Sequence, residues 1–146
     1  MMKIEDGDII PAVGISNIKL DITKEELLRL LKKDFMERSR EDDLIITVEN
    51  AKFWIASDGK VDQIGVEGDF KGKYKGVIGL GSTLQDVKKF VGDPVNVYDT
   101  YEMEEDKGIC FELEDIDDWD ELKAPIDHIY VFRISPDRAC SDQEGI

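Results

Sequence analysis

One pattern constrains this chain more than any other, because it occurs twice, in residues 18–34 and again in residues 78–94. Ile18 falls on Ile78, Leu20 on Leu80, Thr23 on Thr83, Leu27 on Val87, Leu30 on Phe90 and Leu31 on Val91. Each copy reads as a short strand, a turn and a capped helix. Thr23 with Glu26 and Thr83 with Asp86 are Thr-x-x-acid pairs set just before an apolar run. The threonine accepts from a free first-turn N–H and the acid reaches back or opposes the helix dipole, with the cap worth about 0.5–2 kcal/mol. Gly92, Asp93 and Pro94 stop the second helix sharply, whereas Lys32, Lys33 and Asp34 stop the first only through charge and loss of pattern.

The remaining segments can be placed around these two helices. Residues 9–15 read as a lead-in or edge segment because of Pro11, and the charged stretch 36–43 reads as a solvated loop. Residues 44–49 and 51–56 are β-branched and aromatic runs, and the Asp58-Gly59 turn returns the chain into 61–66. Residues 67–76 carry three glycines with Lys71, Lys73 and Lys75 and read as a turn-rich connector. Gly76, Gly79 and Gly81 precede a helix start, yet their spacing is neither the Walker motif nor the dinucleotide fingerprint, so no phosphate site is assigned.

After the second helix, strands are predicted around 95–101, 108–113 and 126–134. Phe53 and Ile55 match Phe111 and Leu113, and 61–66 matches 126–131, while the turn between has grown from 57–60 to 114–125. Each unit is then strand, helix and about three strands. Two such units predict an α+β fold, an antiparallel sheet with two helices packed on one face. The expected organisation is a single domain over 1–146, with repeats at about 14–70 and 76–134 and a polar tail at 135–146.

At 146 residues the chain can bury roughly 68–70 % of its unfolded surface, enough for a core without metal or disulfide staples. Its net charge of −15 opposes nucleic acid and anionic membrane and favours a basic partner. Residues 1–8 carry acids where a secretory leader has a basic region followed by an apolar one, which predicts a cytoplasmic protein. Cys110 and Cys140 form neither a metal spacing nor a disulfide framework and are expected as free thiols. No cofactor and no metal are expected.

The charge is uneven. Residues 99–121 hold twelve acids and one base, a net of −11, with Tyr98, Tyr101, Met103 and Trp119 in or beside them. Aromatics amid like charge fit an interface with anchors and a steering field. The predicted partner surface is Tyr98, Tyr101, Glu102, Glu104, Glu105, Asp106, Glu114, Asp115, Asp117, Asp118, Trp119, Asp120 and Glu121. The plainer alternative is a solvated acidic face. An EF-hand starting at Asp115 is rejected, since its sixth position would be Asp120 rather than glycine and its twelfth Ile126 rather than glutamate. His128, the only histidine, reads as a packed or surface strand residue with no nucleophile placed beside it, so no enzyme is predicted.

The repeated unit, best preserved in 79–94, is similar to that of small outer-membrane assembly lipoproteins of the SmpA/OmlA type and to the tandem form in β-lactamase inhibitor proteins. The resemblance covers roughly 14–66 and 76–132. In size, acidity and lack of catalytic signature the chain also resembles cytoplasmic immunity proteins of polymorphic or contact-dependent toxin systems. Both resemblances imply a scaffold that binds and blocks a protein, here a basic toxin and by expectation a nuclease, from a monomeric free state. The alternative is a structural or small-ligand-binding domain that uses the concave face of the sheet.

Overall fold

The computed structural model describes residues 2–32, 34–41, 43–117 and 119–134. Three short strands come first: β1 (Ile9–Ile10), β2 (Gly14–Ile15) and β3 (Ile18–Lys19) pair in that order as a small antiparallel sheet. Helix α1 (Lys24–Leu30) follows, then β4 (Met36–Ser39), β5 (Leu44–Thr47), β6 (Ala51–Ile55) and β7 (Val61–Val66). Helix α2 (Leu84–Phe90) leads into β8 (Pro94–Val97), β9 (Thr100–Met103), β10 (Ile109–Leu113) and β11 (Ile126–Phe132). The second group of strands joins the first in a single antiparallel sheet of order β4-β5-β6-β7-β11-β10-β9-β8. Helix then four strands describes both halves, and the sheet is closed at its middle by the pairing of β7 with β11.

Both helices start where their threonines place them. Thr23 Oγ1 accepts from Glu26 N and Thr83 Oγ1 from Asp86 N, each at 3.2 Å, and both acids return to the threonine N–H. Through Leu27 and Leu31, α1 enters the main core, and through Leu84 and Val87 α2 does the same. That core lies under one face of the large sheet, where the row Ile46, Phe53, Ile64, Val131 and Ile109 runs across paired strands and is fully buried. Ile9, Ile15 and Ile18 of the small sheet pack into it as well. Among the described residues, no helix is long and apolar enough to cross a membrane.

The expected α+β class is overturned: the fold is mostly β, with eleven strands in two sheets and two helices of seven residues each among the described residues. Two local causes account for this. Residues 36–43, expected as a solvated loop, contain β4, an edge strand whose four residues are all exposed and show no apolar alternation. Arg40 and Asp43 close the turn after it with a two-pronged pair at 2.6 and 2.7 Å. The single strand expected at 95–101 is instead the β8–β9 hairpin, turned at Tyr98 and Asp99, which have φ of 52° and 68°. Glycine or asparagine usually takes such positions; here Asn96 Oδ1 accepts from Asp99 N at 3.2 Å and holds the turn.

The free-thiol expectation also fails at Cys110, which is disulfide-bonded. The chain's other cysteine, Cys140, and the polar tail 135–146 lie outside the described residues, as do Lys33 in the first helix stop and Asp118 in the predicted partner surface.

Candidate functional site

The face of the large sheet turned away from the helices carries side chains of mixed character. Strand pairing sets one row across it: Met36, Thr47, Lys52, Gly65, Tyr130, Cys110, Glu102 and Val95. Gly65 sits mid-row, and a Cβ there would lie 2.6 Å from the Tyr130 ring, so only glycine lets that ring lie over β7. Tyr130 meets Trp54 edge to face at 5.9 Å and 68°, and His128 stacks parallel to it at 5.9 Å and 4°. Beside these rings opens a cavity of about 450 Å³. Glu37, Arg38, Arg40 and Lys52 line it toward β4–β6, and Glu67 with His128 line it toward β7 and β11.

His128 owes its surroundings to a β-bulge. Glu112 pairs with His128, but the next residue, Leu113, pairs with Ile126, which leaves Asp127 as the extra residue on β11. Successive strand side chains normally point to opposite faces; a bulge breaks that alternation and brings neighbours together. Asp127 Oδ1 lies 2.9 Å from His128 Nδ1, Glu112 Oε1 lies 3.5 Å from the same nitrogen, and Glu67 Oε2 lies 2.7 Å from Nε2. Burial pulls the imidazole pKa down, but the hydrogen bonds to Asp127 and Glu67 outweigh it and hold the group above its ordinary value. As an imidazolium, His128 donates through both nitrogens. One imidazole and two carboxylates, from His128, Asp127 and Glu112, bring their donor atoms within 4.8 Å of one another, the spacing of a metal-ligand set.

A second bulge of the same kind lies between β6 and β7, where Trp54 pairs with Gln63 but Ile55 pairs with Val61, leaving Asp62 as the extra residue. Asp62 is buried, with Arg133 Nη2 4.0 Å from its carboxylate and Arg133 N donating to its carbonyl. The same guanidinium donates at 2.9 Å to Asp21 and to Asp58.

The predicted partner surface is divided by the fold. The β8–β9 turn, with Tyr98, and the 114–125 loop lie at one end of the strands, but the β9–β10 turn, with Glu104, Glu105 and Asp106, lies at the other. β10 alone separates these ends by roughly 17 Å. At the first end, Glu114, Asp115, Asp117, Asp120 and Glu121 are exposed, Trp119 is 49 % exposed and Tyr98 is 82 % exposed. Tyr101 is not an exposed anchor: it is 4 % exposed and donates to Glu121 Oε2 at 2.9 Å, which ties the loop to β9. Burial and that carboxylate hold its phenol above the ordinary pKa. At the other end Asp106 accepts from Tyr74 Oη at 2.6 Å and lies 3.9 Å from Lys75 Nζ, so it is a structural partner rather than a free charge. Glu102 belongs to the outer-face row between Cys110 and Val95.

The cluster around His128 escapes a sequence reading because it needs the β10–β11 register and the bulge. One signal does exist, the alignment of Val61-Asp62-Gln63-Ile64 with Ile126-Asp127-His128-Ile129, in which the aspartate is shared and the next residue differs.

No protein-family model matches the chain, and no curated protein matches it. Among solved structures, the fold is similar to that in the crystal structure of the uncharacterized protein yfeY from Escherichia coli. The TM-score is 0.52 at 12 % identity, covering 89 % of this chain and 100 % of the other. At that identity the likeness concerns the fold alone.

Proposed function

We propose that this protein works by binding, without turnover, and that it captures and blocks a basic protein partner, of the kind an immunity protein meets in a nuclease toxin. The observation that carries this reading is the end of the sheet formed by the β8–β9 turn and the 114–125 loop. There the 114–125 loop carries five exposed carboxylates and exposed Trp119, the β8–β9 turn adds exposed Tyr98, and Tyr101 with Glu121 braces the loop. Exposed aromatic side chains supply contact area at low entropic cost, and a single-sign field around them speeds encounter with an opposite charge. The likeness of the repeat unit to inhibitor scaffolds points in the same direction. Glu104, Glu105 and Asp106 are left out of this surface because they lie at the far end. A nuclease inhibitor would act in the cytoplasm, where the Cys110 bond would be reduced; the proposed capture surface does not involve Cys110.

Co-expression with the product of the adjacent reading frame, followed by co-purification at low and high salt, is the direct test. With a partner in hand, Asp117→Lys with Asp120→Lys should slow association on the order of tenfold or more at low salt and flatten its salt dependence. Glu104→Lys with Glu105→Lys, at the other end, should change it far less. Equal effects from the two pairs would mean that net charge, not this surface, governs capture.

A second reading is favoured by the cavity of about 450 Å³ with Trp54 and Tyr130 at its wall, a size and lining suited to a small molecule. It expects a thermal shift with small ligands that Gly65→Leu removes, and no capture of any basic protein.

A further inference from the structure

We propose that His128, Asp127 and Glu112 form a binding site for one first-row divalent metal ion of the zinc type, at the rim of the outer-face cavity. The site lies at the same end of the sheet as the acidic loop, next to the start of the 114–125 segment, but uses none of the residues proposed for partner capture. Three observations carry it. Donor geometry is the first: Nδ1 of His128 faces Asp127 Oδ1 at 2.9 Å and Glu112 Oε1 at 3.5 Å, with all three donor atoms within 4.8 Å of one another. Ligands about 2.0–2.2 Å from a tetrahedral ion stand roughly 3.4 Å apart, close to the separation of Glu112 Oε1 from Nδ1, and a displacement of about half an ångström brings Asp127 Oδ1 to the same distance from Nδ1.

The second is the environment of the other ring nitrogen. Glu67 Oε2 lies 2.7 Å from Nε2 and accepts the Nε2 proton, so once a metal ion displaces the Nδ1 proton, the Nδ1 lone pair is directed to the side of the two carboxylates. Metal-bound histidines are oriented by a carboxylate in this way. Charge is the third. Among the described residues, the ion pairs of Glu67 and Asp127 are with His128 alone, so even a protonated imidazole sets one positive charge against these two carboxylates. A divalent cation corrects this with one ion.

The donor set selects the metal. An imidazole nitrogen disfavours calcium and magnesium, and two carboxylates disfavour soft monovalent copper. Three protein ligands leave a position open for water or for a donor atom of a molecule in the cavity that His128 and Glu67 line. The bulge at Asp127 is what makes the set possible, since without it Asp127 and His128 would face opposite sides of the sheet.

The experiment is calorimetric titration of the full chain with Zn²⁺, with Mg²⁺ as reference, together with Co²⁺ titration followed by visible absorption. A chain with so many acids will bind divalent ions diffusely, so the expected signature is a separate component of one ion per chain and intense Co²⁺ bands of low coordination number. His128→Gln, Asp127→Asn and Glu112→Gln should each weaken that component by about tenfold or more, and Glu67→Gln by about tenfold through loss of orientation. Gln63 occupies the equivalent bulge position in the other half, so His128→Gln is expected to fold. Glu104→Gln with Glu105→Gln should leave the component unchanged. Wild-type affinity in all three ligand variants, or a pale octahedral Co²⁺ spectrum in the wild type, overturns the site. Should His128→Gln fail to fold, Asp127→Asn and Glu112→Gln with the wild-type Co²⁺ spectrum decide the matter.

Discussion

The two bulges of the large sheet share a backbone plan and differ in what they hold. On β7 the extra residue is Asp62, followed by Gln63, whose cross-strand partner is Trp54. On β11 it is Asp127, followed by His128, whose cross-strand partner is Glu112. In the first half Asp62, Gln63 and Trp54 are all buried, and Asp62 lies next to the arginine that bridges Asp21 and Asp58. In the second half Asp127, His128 and Glu112 are part-exposed and converge on one point at a cavity rim. The same kink therefore serves packing in one place and gathers ionisable donors in the other, and the difference lies in three side chains rather than in the chain path.

Substitutions at equivalent positions should break this contrast unequally. The largest effect is expected from Trp54→Ala, which empties a buried aromatic site and should cost about 3–5 kcal/mol in urea unfolding. Its counterpart Glu112→Gln should cost far less stability, its effect appearing in metal affinity instead. Next, Arg133→Ala removes two 2.9 Å bonds and the cation nearest buried Asp62, a loss of about 1–3 kcal/mol by the same measurement.

A smaller effect depends on pH. Glu67, Glu112 and Asp127 face the His128 imidazole, Tyr130 stacks on it, and its pKa is raised in the fold. A raised folded value adds stability that is complete below the unfolded value of about 6.5 and is lost as pH rises through the folded one. In chelator-treated buffer the unfolding midpoint of the wild type should therefore decline across that window, and His128→Gln should flatten the decline. If the slope survives the substitution, another group carries it. The smallest effect is expected from Glu104→Gln with Glu105→Gln, within about 0.5 kcal/mol, because both residues are exposed at a turn.

Local chemistry was legible in the sequence and non-local geometry was not. Thr23, Glu26, Thr83 and Asp86 announce their helices because a capping box is complete within four residues. The Asp58-Gly59 turn is equally local, with Gly59 at φ 78° and Lys60 N donating to Asp58 Oδ1. β4 was missed because an edge strand exposed at all four positions has no buried face to impose alternation on Met36, Glu37, Arg38 and Ser39. With β4 and the β8–β9 hairpin both hidden, the sequence pattern shows fewer strands than the fold contains and points to α+β. The division of the acidic stretch is hidden for a related reason: counting charge along 99–121 ignores that β10 carries the chain from one end of the sheet to the other. Cys110 could not be read as bonded from spacing alone, and the His128 cluster needed a register that no short motif encodes.

The order of the strands also bears on how the molecule is made. β11, which joins the halves, is the last described strand to leave the ribosome, and until it arrives β7 has one partner, β6, and one bare flank. Every residue of β7 is buried in the finished sheet, Val61, Ile64 and Val66 among them, so that flank is an unpaired edge of the kind that templates unwanted pairing. A nascent chain paused before residue 126 would hold two incomplete half-sheets, and its time in that state, rather than the stability of the finished fold, would set how much of it aggregates.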